Sequence, residues 1–501
     1  MNFDSLQSMA GQNIAIKDLA ELNKALQASG QLLAKSDTVG YQTASSGGGN
    51  LAPLVPQSIQ NTLDSATYTD NAIVFWKKLA KVSVTNTIHE SAVVNAYGTM
   101  QLDPFIAEGE VGPTSVGEYE KKIVQIKYLA ERREISDVAT MVGMIGATGV
   151  SAQGLAQQTM DGTKALLGKL ERTLFNANSQ LSGLQYDGLE KQILGASVDT
   201  STGIESFSND THTDLEGGAA TAQDIVQAAY QAAAAPNFGA PNVCMVEPRT
   251  YAGLVNLASA YGRFDPNQAA AGSLIFGTNG LQIAGPAGMV PIVPAPLMQY
   301  DDGASLREDG STGFGDTTFG ENVPANPGTI TYAAGAADSA PKFRAADAGT
   351  YIYRFQPVND KGVGKFRQLS ATVQAGKSAT FTFSDSGEPV GSGTNGLSYY
   401  RVYRTEKDGS KDTARYIGSW PRNASGNTVI VDENERRPNT APIYILQLTP
   451  DVMYWAQLLD FLRRPLAQDK TTIPFLLMLF GSLHVKIPTK NHILRNCKLG
   501  F

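Results

Sequence analysis

The pattern of apolar and polar positions changes period several times along the chain. In residues 150 to 178, VSAQGLAQQTMDGTKALLGKLERTLFNAN, the positions Leu155, Thr159, Thr163, Leu166, Leu167, Leu170 and Leu174 share one helical face. That spacing, ended by Asn-rich sequence, predicts the longest helix of the chain. Residues 12 to 35 carry Ile16, Leu19, Leu22, Leu26 and Leu32 at helical spacing and then give way to the tether SDTVGYQTASSGGGN, which predicts a helix on a flexible arm. A second arm, 51 to about 69, carries two prolines and too little clustered hydrophobicity to fold alone.

From Ile73 the period is two. KKLAKVSVTNTIHESAVVNAYG and EYEKKIVQIKYLAERREISD bracket a stretch rich in Gly, Pro and acids, Leu102 to Gly117, and so predict an extended hairpin with a long tip. A polar loop at about 196 to 220 then leads to an Ala-rich helix (Ala222 to Ala235), a buried strand (Pro241 to Val246) and a helix (Arg249 to Ser259). LQIAGPAGMVPIVPAPLM, 281 to 298, reads as a bent hairpin with a proline-bounded strand. After Tyr300 a polar linker precedes an all-β stretch, about Ile330 to Val431, roughly 100 residues with strands at about ten-residue intervals, which suits a β-sandwich. From Ile443 the mixed pattern resumes, with DVMYWAQLLDFL read as helical and FLLMLFGSLHVKIPTKNHILRNCKL as closing strands. The fold class is α+β, with an all-β insertion interrupting a core that resumes after it.

Composition narrows the function classes. The 501 residues exceed what one core usually organises. Fifty glycines and 24 prolines imply many turns, and a net charge of -7 does not suit a surface that grips phosphates throughout. Cys244 and Cys497 are too few for a disulfide framework and are expected to be buried thiols. The first residues show no basic and apolar export signal, and the longest apolar run, Ile473 to Phe480, is short of a membrane span. The expectation is a protein neither exported by such a signal nor embedded in a membrane.

No chemical motif is complete. Ala375-Gly-Lys-Ser378 ends like a phosphate loop, but position 371 is Ala and a strand, ATFTF, follows instead of a helix, so a β-turn is expected. His89, His212, His484 and His492 form no metal-ligand spacing, and a zinc set of His484, His492 and Cys497 competes with plain strand alternation. Glu108 and Glu110 at the hairpin tip lack the enclosed pocket that paired catalytic carboxylates need; they fit an electrostatic contact to a neighbouring subunit, against a merely solvated loop. Lys121, Lys122, Lys127, Arg132 and Arg133 alternate with Ile123, Ile126 and Leu129, a solvated strand face or a set of intersubunit or DNA contacts. Tyr351, Tyr353, Phe355, Tyr399, Tyr400 and Tyr403 are read as core in preference to a carbohydrate platform. No cofactor and no catalytic activity is expected; a hydrolase whose site no short motif marks is the enzyme alternative.

The order of parts, with LDPFIAEGEVGPTSVGEYEKKIVQIKYLAERREISD, the helix GLAQQTMDGTKALLGKLERTLFNAN, and PNVCMVEPRTYAGLVNL before a hairpin ending GMVPIVPAPLM, resembles the HK97-type major capsid proteins of tailed bacteriophages. YIYRFQPVNDKGVGKFRQLSATVQAGKSATFTF and LSYYRVYRTEKDGS resemble fibronectin type III or related immunoglobulin-like domains. The resemblance implies an N-terminal helix and arm (1–72), an extended loop (73–135), a peripheral domain with a spine helix (136–220), an axial domain (221–302), a linker and immunoglobulin-like insertion (303–440) and a return to the core (441–501). It further implies hexamers and pentamers forming an icosahedral shell around double-stranded DNA, with Glu108, Glu110, Lys121, Lys122, Arg132 and Arg133 as candidate intersubunit contacts. Expected partners are further copies of the chain, DNA on the inner face, and scaffolding, portal and cement proteins. The expected place is the virion capsid, assembled in the bacterial cytoplasm. Whether the first helix is kept, and whether a lysine of the loop is crosslinked, stay open. An encapsulin-like compartment and an extracellular adhesin are the rival readings.

Overall fold

The computed structural model describes residues 70–98, 105–112, 114–141, 144–146, 149–151, 154–261, 281–298, 319–320, 323–324, 327–335, 343–386, 396–468 and 470–499. The expected helix at 12 to 35, the tether, the second arm and most of the linker after Tyr300 lie outside these residues.

The first sheet places its strands in the order Lys81–Ser83, Met453–Pro465, Thr472–Val485, Lys127–Ser136, antiparallel except for the parallel outer pair at Lys81–Ser83. The helix Gly154–Asn176 packs across it with Leu166, Leu170 and Leu174 buried. Gly162 permits the approach: a Cβ there would lie 2.6 Å from Leu477 Cδ1. The second sheet runs Gln282–Gly285, Gly288–Pro294, Val243–Val246, Thr440–Leu446, His492–Lys498, His212–Asp214. Against it lies the helix Ala222–Ala233, started by a Thr221–Asp224 capping box and burying Ile225, Ala228, Ala229 and Ala232.

Between Val243–Val246 and its antiparallel partner Thr440–Leu446 the chain leaves the core and returns. The excursion builds a three-stranded sheet (Ile330–Gly335, Ser378–Phe383, Val429–Asp432) facing a larger one that contains Gly349–Val358, Arg367–Val373, Tyr399–Arg404 and Arg415–Pro421. Tyr353, Phe355, Phe381, Phe383 and Tyr400 interlock between the two layers. All six aromatics expected in the core are buried, Tyr351, Tyr353, Phe355 and Tyr400 between these layers, Tyr403 beside Phe366 and Ala414, and Tyr399 beside Leu181 and Val358.

Four local expectations are corrected. DVMYWAQLLDFL is not helical but opens the strand Met453–Pro465. Met453 to Ala456 are buried on both faces, and bulges after Gln457 and Leu459 reset the alternation; a broken period of two imitates a helical one. The second ladder of the hairpin is two strands, Glu118–Gln125 and Lys127–Ser136, in different sheets. Ile126 is the buried pivot, and Ser482 bridges the break, donating to the Gln125 carbonyl at 2.6 Å and accepting from the Lys127 N–H at 3.2 Å. No Gly or Pro marks the change. The segment from Ile73 begins with a short helix, Phe75–Lys78, rather than a strand. The loop at 196 to 220 contains the hairpin Ala196–Val198 with Glu205–Phe207 and the edge strand His212–Asp214.

Candidate assembly surface

Strands Ile88–Ala96 and Glu118–Gln125 form a two-stranded ribbon with no third strand among the described residues. Register puts His89, Ser91 and Val93 beside Val124, Lys122 and Glu120 on one face, which is partly covered; Ile88, Glu90, Ala92 and Val94 share the other, exposed face with Gln125, Ile123, Lys121 and Tyr119. The covered face is rooted on the first sheet. His89 Nε2 and the Tyr454 hydroxyl are 2.7 Å apart, the Ser91 hydroxyl and His484 Nε2 2.8 Å apart, and the His89 and His484 rings meet edge to face. Burial, then the neighbouring His89, Lys486 and Lys122, push the His484 imidazole down to about 4.

The ribbon is where the chain leaves apolar surface uncovered. Among the described residues, ten of the nineteen exposed large hydrophobic side chains lie between Ile88 and Tyr128, including Tyr97 (96% exposed), Phe105 (86%) and Val111 (97%). Such density on a thin ribbon marks a surface made to be covered. At its tip the Glu110 N–H donates to the Ala107 carbonyl at 3.1 Å, and Gly109 takes φ +87°, which closes a tight turn that glycine favours. Glu108 and Glu110 are exposed on this turn, between Phe105, Ile106 and Val111.

The basic run does not act as one patch. Lys121 pairs with Glu90 at 2.5 Å and Lys122 with Glu120 on the ribbon. The Lys122 hydrogen bond, then that of Asn95, holds the Glu120 carboxyl below its usual range. On the neighbouring strand Lys127 donates to the Gly183 carbonyl, Arg133 lies on the helix side of the first sheet with Glu131 at 3.0 Å, and Arg132 stands on the opposite, open face, 3.6 Å from Glu134. Lys121 and Arg132 are thus on exposed faces of separate sheets.

Sequence reading missed the groups that fasten these elements to the rest. Glu171, fully buried on the long helix, accepts the N–H groups of Val74, Phe75 and Trp76 at 3.0, 2.6 and 2.8 Å. Burial raises its carboxyl above the ordinary value despite those donors. The excursion domain is locked to the core where it exits: Arg436 binds Glu205 twice (2.8 and 3.0 Å) and Glu190 at 2.8 Å, Arg437 binds Asp347 twice, and Arg495 binds Glu435. Burial alone would raise the Glu205 carboxyl, and Arg436 overcomes it so that the value falls. Gly203, at φ +75°, offers its carbonyl to the Trp420 indole N–H (3.2 Å) and the Val431 N–H (3.2 Å). These partners are dozens to hundreds of residues apart, with no local pattern to betray them.

The other candidate chemistry resolves locally. Gly376 takes φ +72° in the turn between Arg367–Val373 and Ser378–Phe383. His484 bonds Ser91 whereas His492 bonds Thr213, and no cluster of three His, Cys, Asp or Glu able to hold a metal occurs among the described residues. Cys244 and Cys497 are free and buried.

No family model matches the sequence. The chain is distantly similar to phage major capsid proteins along nearly its whole length: to a provisionally named major capsid protein of Enterococcus phage phiEF24C, 22% identical over 93% of this chain and 94% of the relative, and to the major capsid protein of Staphylococcus phage K, 21% identical over 88% and 89%. Among solved structures the chain is distantly similar to the capsid of a native GTA particle (10% identity, TM-score 0.44, 92% of this chain and 100% of that one) and to the SrpI encapsulin of Synechococcus elongatus (8%, 0.37, 89% and 94%). The resemblance is to viral capsid and shell proteins.

Proposed function

We propose that the chain is the major capsid protein of a tailed phage, an HK97-type tile whose ribbon reaches over a neighbour and whose inserted immunoglobulin-like domain faces outward. The work is structural and not catalytic: copies join as hexamers and pentamers and close an icosahedral shell around double-stranded DNA, with scaffolding, portal and cement proteins as further partners in the host cytoplasm. The observation that carries this reading is the ribbon. Two strands cannot bury both of their own faces, and among the described residues nothing covers the apolar side chains of the outer face, so a second copy is the cover this reading gives them. Burial of a large apolar side chain is worth about 1.5–3 kcal/mol, so a few of them hold an interface repeated around a ring. Similarity to phage capsid proteins over nearly the full length supports the same reading.

Negative-stain electron microscopy of the protein expressed alone and beside its genomic neighbours tests it. Capsomer rings or closed shells are the expected result. A persistent monomer in both settings refutes the tile, and shells filled with protein cargo and free of DNA move the reading to a storage compartment.

A further inference from the structure

We infer that the excursion domain and the ribbon are coupled through the helix Leu189–Leu194, which serves both as a shared strut: loosening the hold of the excursion domain on this helix loosens the root of the ribbon. The coupling is a property of one subunit and does not depend on shell formation. It gives the inserted domain a role beyond decoration, since whatever strains its junction with the core also reaches the ribbon.

Six residues are too few to hold a helix alone, and this one is fixed by its surroundings. Leu189, Ile193 and Leu194 are buried in the main core. Its start rests on the end of the long helix, where the Gly188 N–H donates to the Ala177 carbonyl at 2.8 Å and a Cβ on Gly188 would lie 2.9 Å from the Phe175 carbonyl oxygen. Glu190 meets the excursion domain, pairing with Arg436 at 2.8 Å. The Arg436 carbonyl in turn accepts from Arg404, a fully buried residue of the excursion core that also bonds Asp432.

Gln192 makes the second hold. The strand Thr472–Val485 is paired with Lys127–Ser136 only as far as Gly481. Past that point this edge has no strand partner among the described residues, and the Gln192 side-chain amide stands in for one: Nε2 donates to the Leu483 carbonyl at 3.0 Å and Oε1 accepts the Val485 N–H at 2.8 Å. Those two backbone groups flank His484, whose Nε2 lies 2.8 Å from the Ser91 hydroxyl of the ribbon and whose ring meets His89 edge to face. The residue that roots the ribbon is therefore positioned by a side chain two residues along the helix from the carboxylate that the excursion domain grips. Both holds are partly buried, so losing either leaves polar groups that water does not fully satisfy. The two states are the helix seated and the helix displaced, a local opening. Releasing one hold raises the population of the displaced state and so weakens the other.

Hydrogen exchange of the unassembled full-length subunit tests the coupling. Glu190→Gln removes one charge and leaves Arg436 paired with Glu205. Peptides covering Ile88–Ala96 and Glu118–Gln125 should then exchange at least about fivefold faster, while the helix Ala222–Ala233, on the opposite face of the second sheet, stays unchanged. In a Gln192→Ala background, where the strut is already cut, the same substitution should add nothing to ribbon exchange. Ser91→Ala works from the other end and decides the matter if Glu190→Gln fails to fold: the peptide covering Leu189–Leu194 should exchange faster, because coupling is reciprocal. Unchanged ribbon exchange in Glu190→Gln, an effect undiminished in the Gln192→Ala background, an equal rise at Ala222–Ala233, or unaltered exchange at Leu189–Leu194 in Ser91→Ala overturns the coupling. Shell formation by the wild type bears only on the tile reading.

Discussion

Glu171 offers the sharpest test of how the first sheet, the long helix and the entering chain are joined. Its two oxygens satisfy three consecutive N–H groups at the start of Phe75–Lys78. Phe75 and Trp76 are buried against Phe175 and Trp455. Glu171→Ala strips all three donors of their acceptor inside a sealed interior, and each unsatisfied buried group costs about 1–3 kcal/mol. Because these penalties overlap and the mutation also removes a carboxylate that burial disfavours, the expected loss is about 3–5 kcal/mol. Glu171→Gln keeps one acceptor oxygen for Val74 and Phe75 but turns an amide N–H₂ on Trp76, and should cost about 1–3 kcal/mol. Hydrogen exchange read at the three amides is the assay, since it reports local opening without assuming two-state unfolding of a large protein. Protection at Val74, Phe75 and Trp76 should fall about 100- to 4000-fold in Glu171→Ala, at about 1.4 kcal/mol per tenfold, and by less in Glu171→Gln. Unchanged protection at these amides in Glu171→Ala would refute the assignment of Glu171 as the cap.

Acid sensitivity follows from two histidines. Burial first, and neighbouring charge second, depress His484 and His492 from 6.5 to about 4. The unfolded chain therefore takes up protons that the folded chain refuses. Stability from these groups is fully present above about pH 6.5 and declines as pH falls towards 4, by up to about 3 kcal/mol each; denaturant titrations of the unassembled subunit at stepped pH should show the decline, and a flat profile over that window contradicts it. At the junction of core and excursion, Gly203→Ala places a Cβ 2.2 Å from the Val429 carbonyl oxygen at a φ that disfavours side chains. It should cost more than about 1 kcal/mol and loosen the junction, seen as faster exchange at Val431 and a shift in Trp420 fluorescence; wild-type behaviour in both would show that the hairpin does not lock the domain.

Where the period was unbroken, the sequence was readable. Leu166, Leu170 and Leu174 announce the long helix, Ile225 with the Ala-rich face announces its shorter counterpart, and the alternation of Tyr351, Tyr353 and Phe355 announces a strand with its aromatics inward. Failure came where tertiary pairing overrode local pattern. The Met453–Pro465 strand is bulged twice and lies between two partners, so its apolar positions carry a false helical period. Lys121 and Arg132 belong to one alternating run, yet the chain changes sheets at Ile126 because Val84, Tyr454 and Ala456 bury that side chain. The acidic tip could be named from composition, but the exposed row that holds Arg132 and Arg464 could not. Arg132 and Arg464, 332 positions apart in the chain, come into one row with Leu476 between them only through the register of three strands.

The excursion domain follows the same logic in reverse. A domain inserted for binding alone needs only a tether, whereas this one is fixed by Arg436, Arg437 and Arg495 at its exit and by the Gly203 carbonyl at its flank. Arg436 alone engages carboxylates on two core elements, Glu190 of the helix Leu189–Leu194 and Glu205 of the strand Glu205–Phe207. Charges held in a partly buried junction are costly to separate, since undocking leaves each one desolvated without its partner. The domain therefore moves with the core, and the charge pairs that fix it are spent inside one subunit. Under the tile reading, the exposed groups left among the described residues for contact with a second copy are the apolar ribbon and cations such as Arg464 that make no ion pair there.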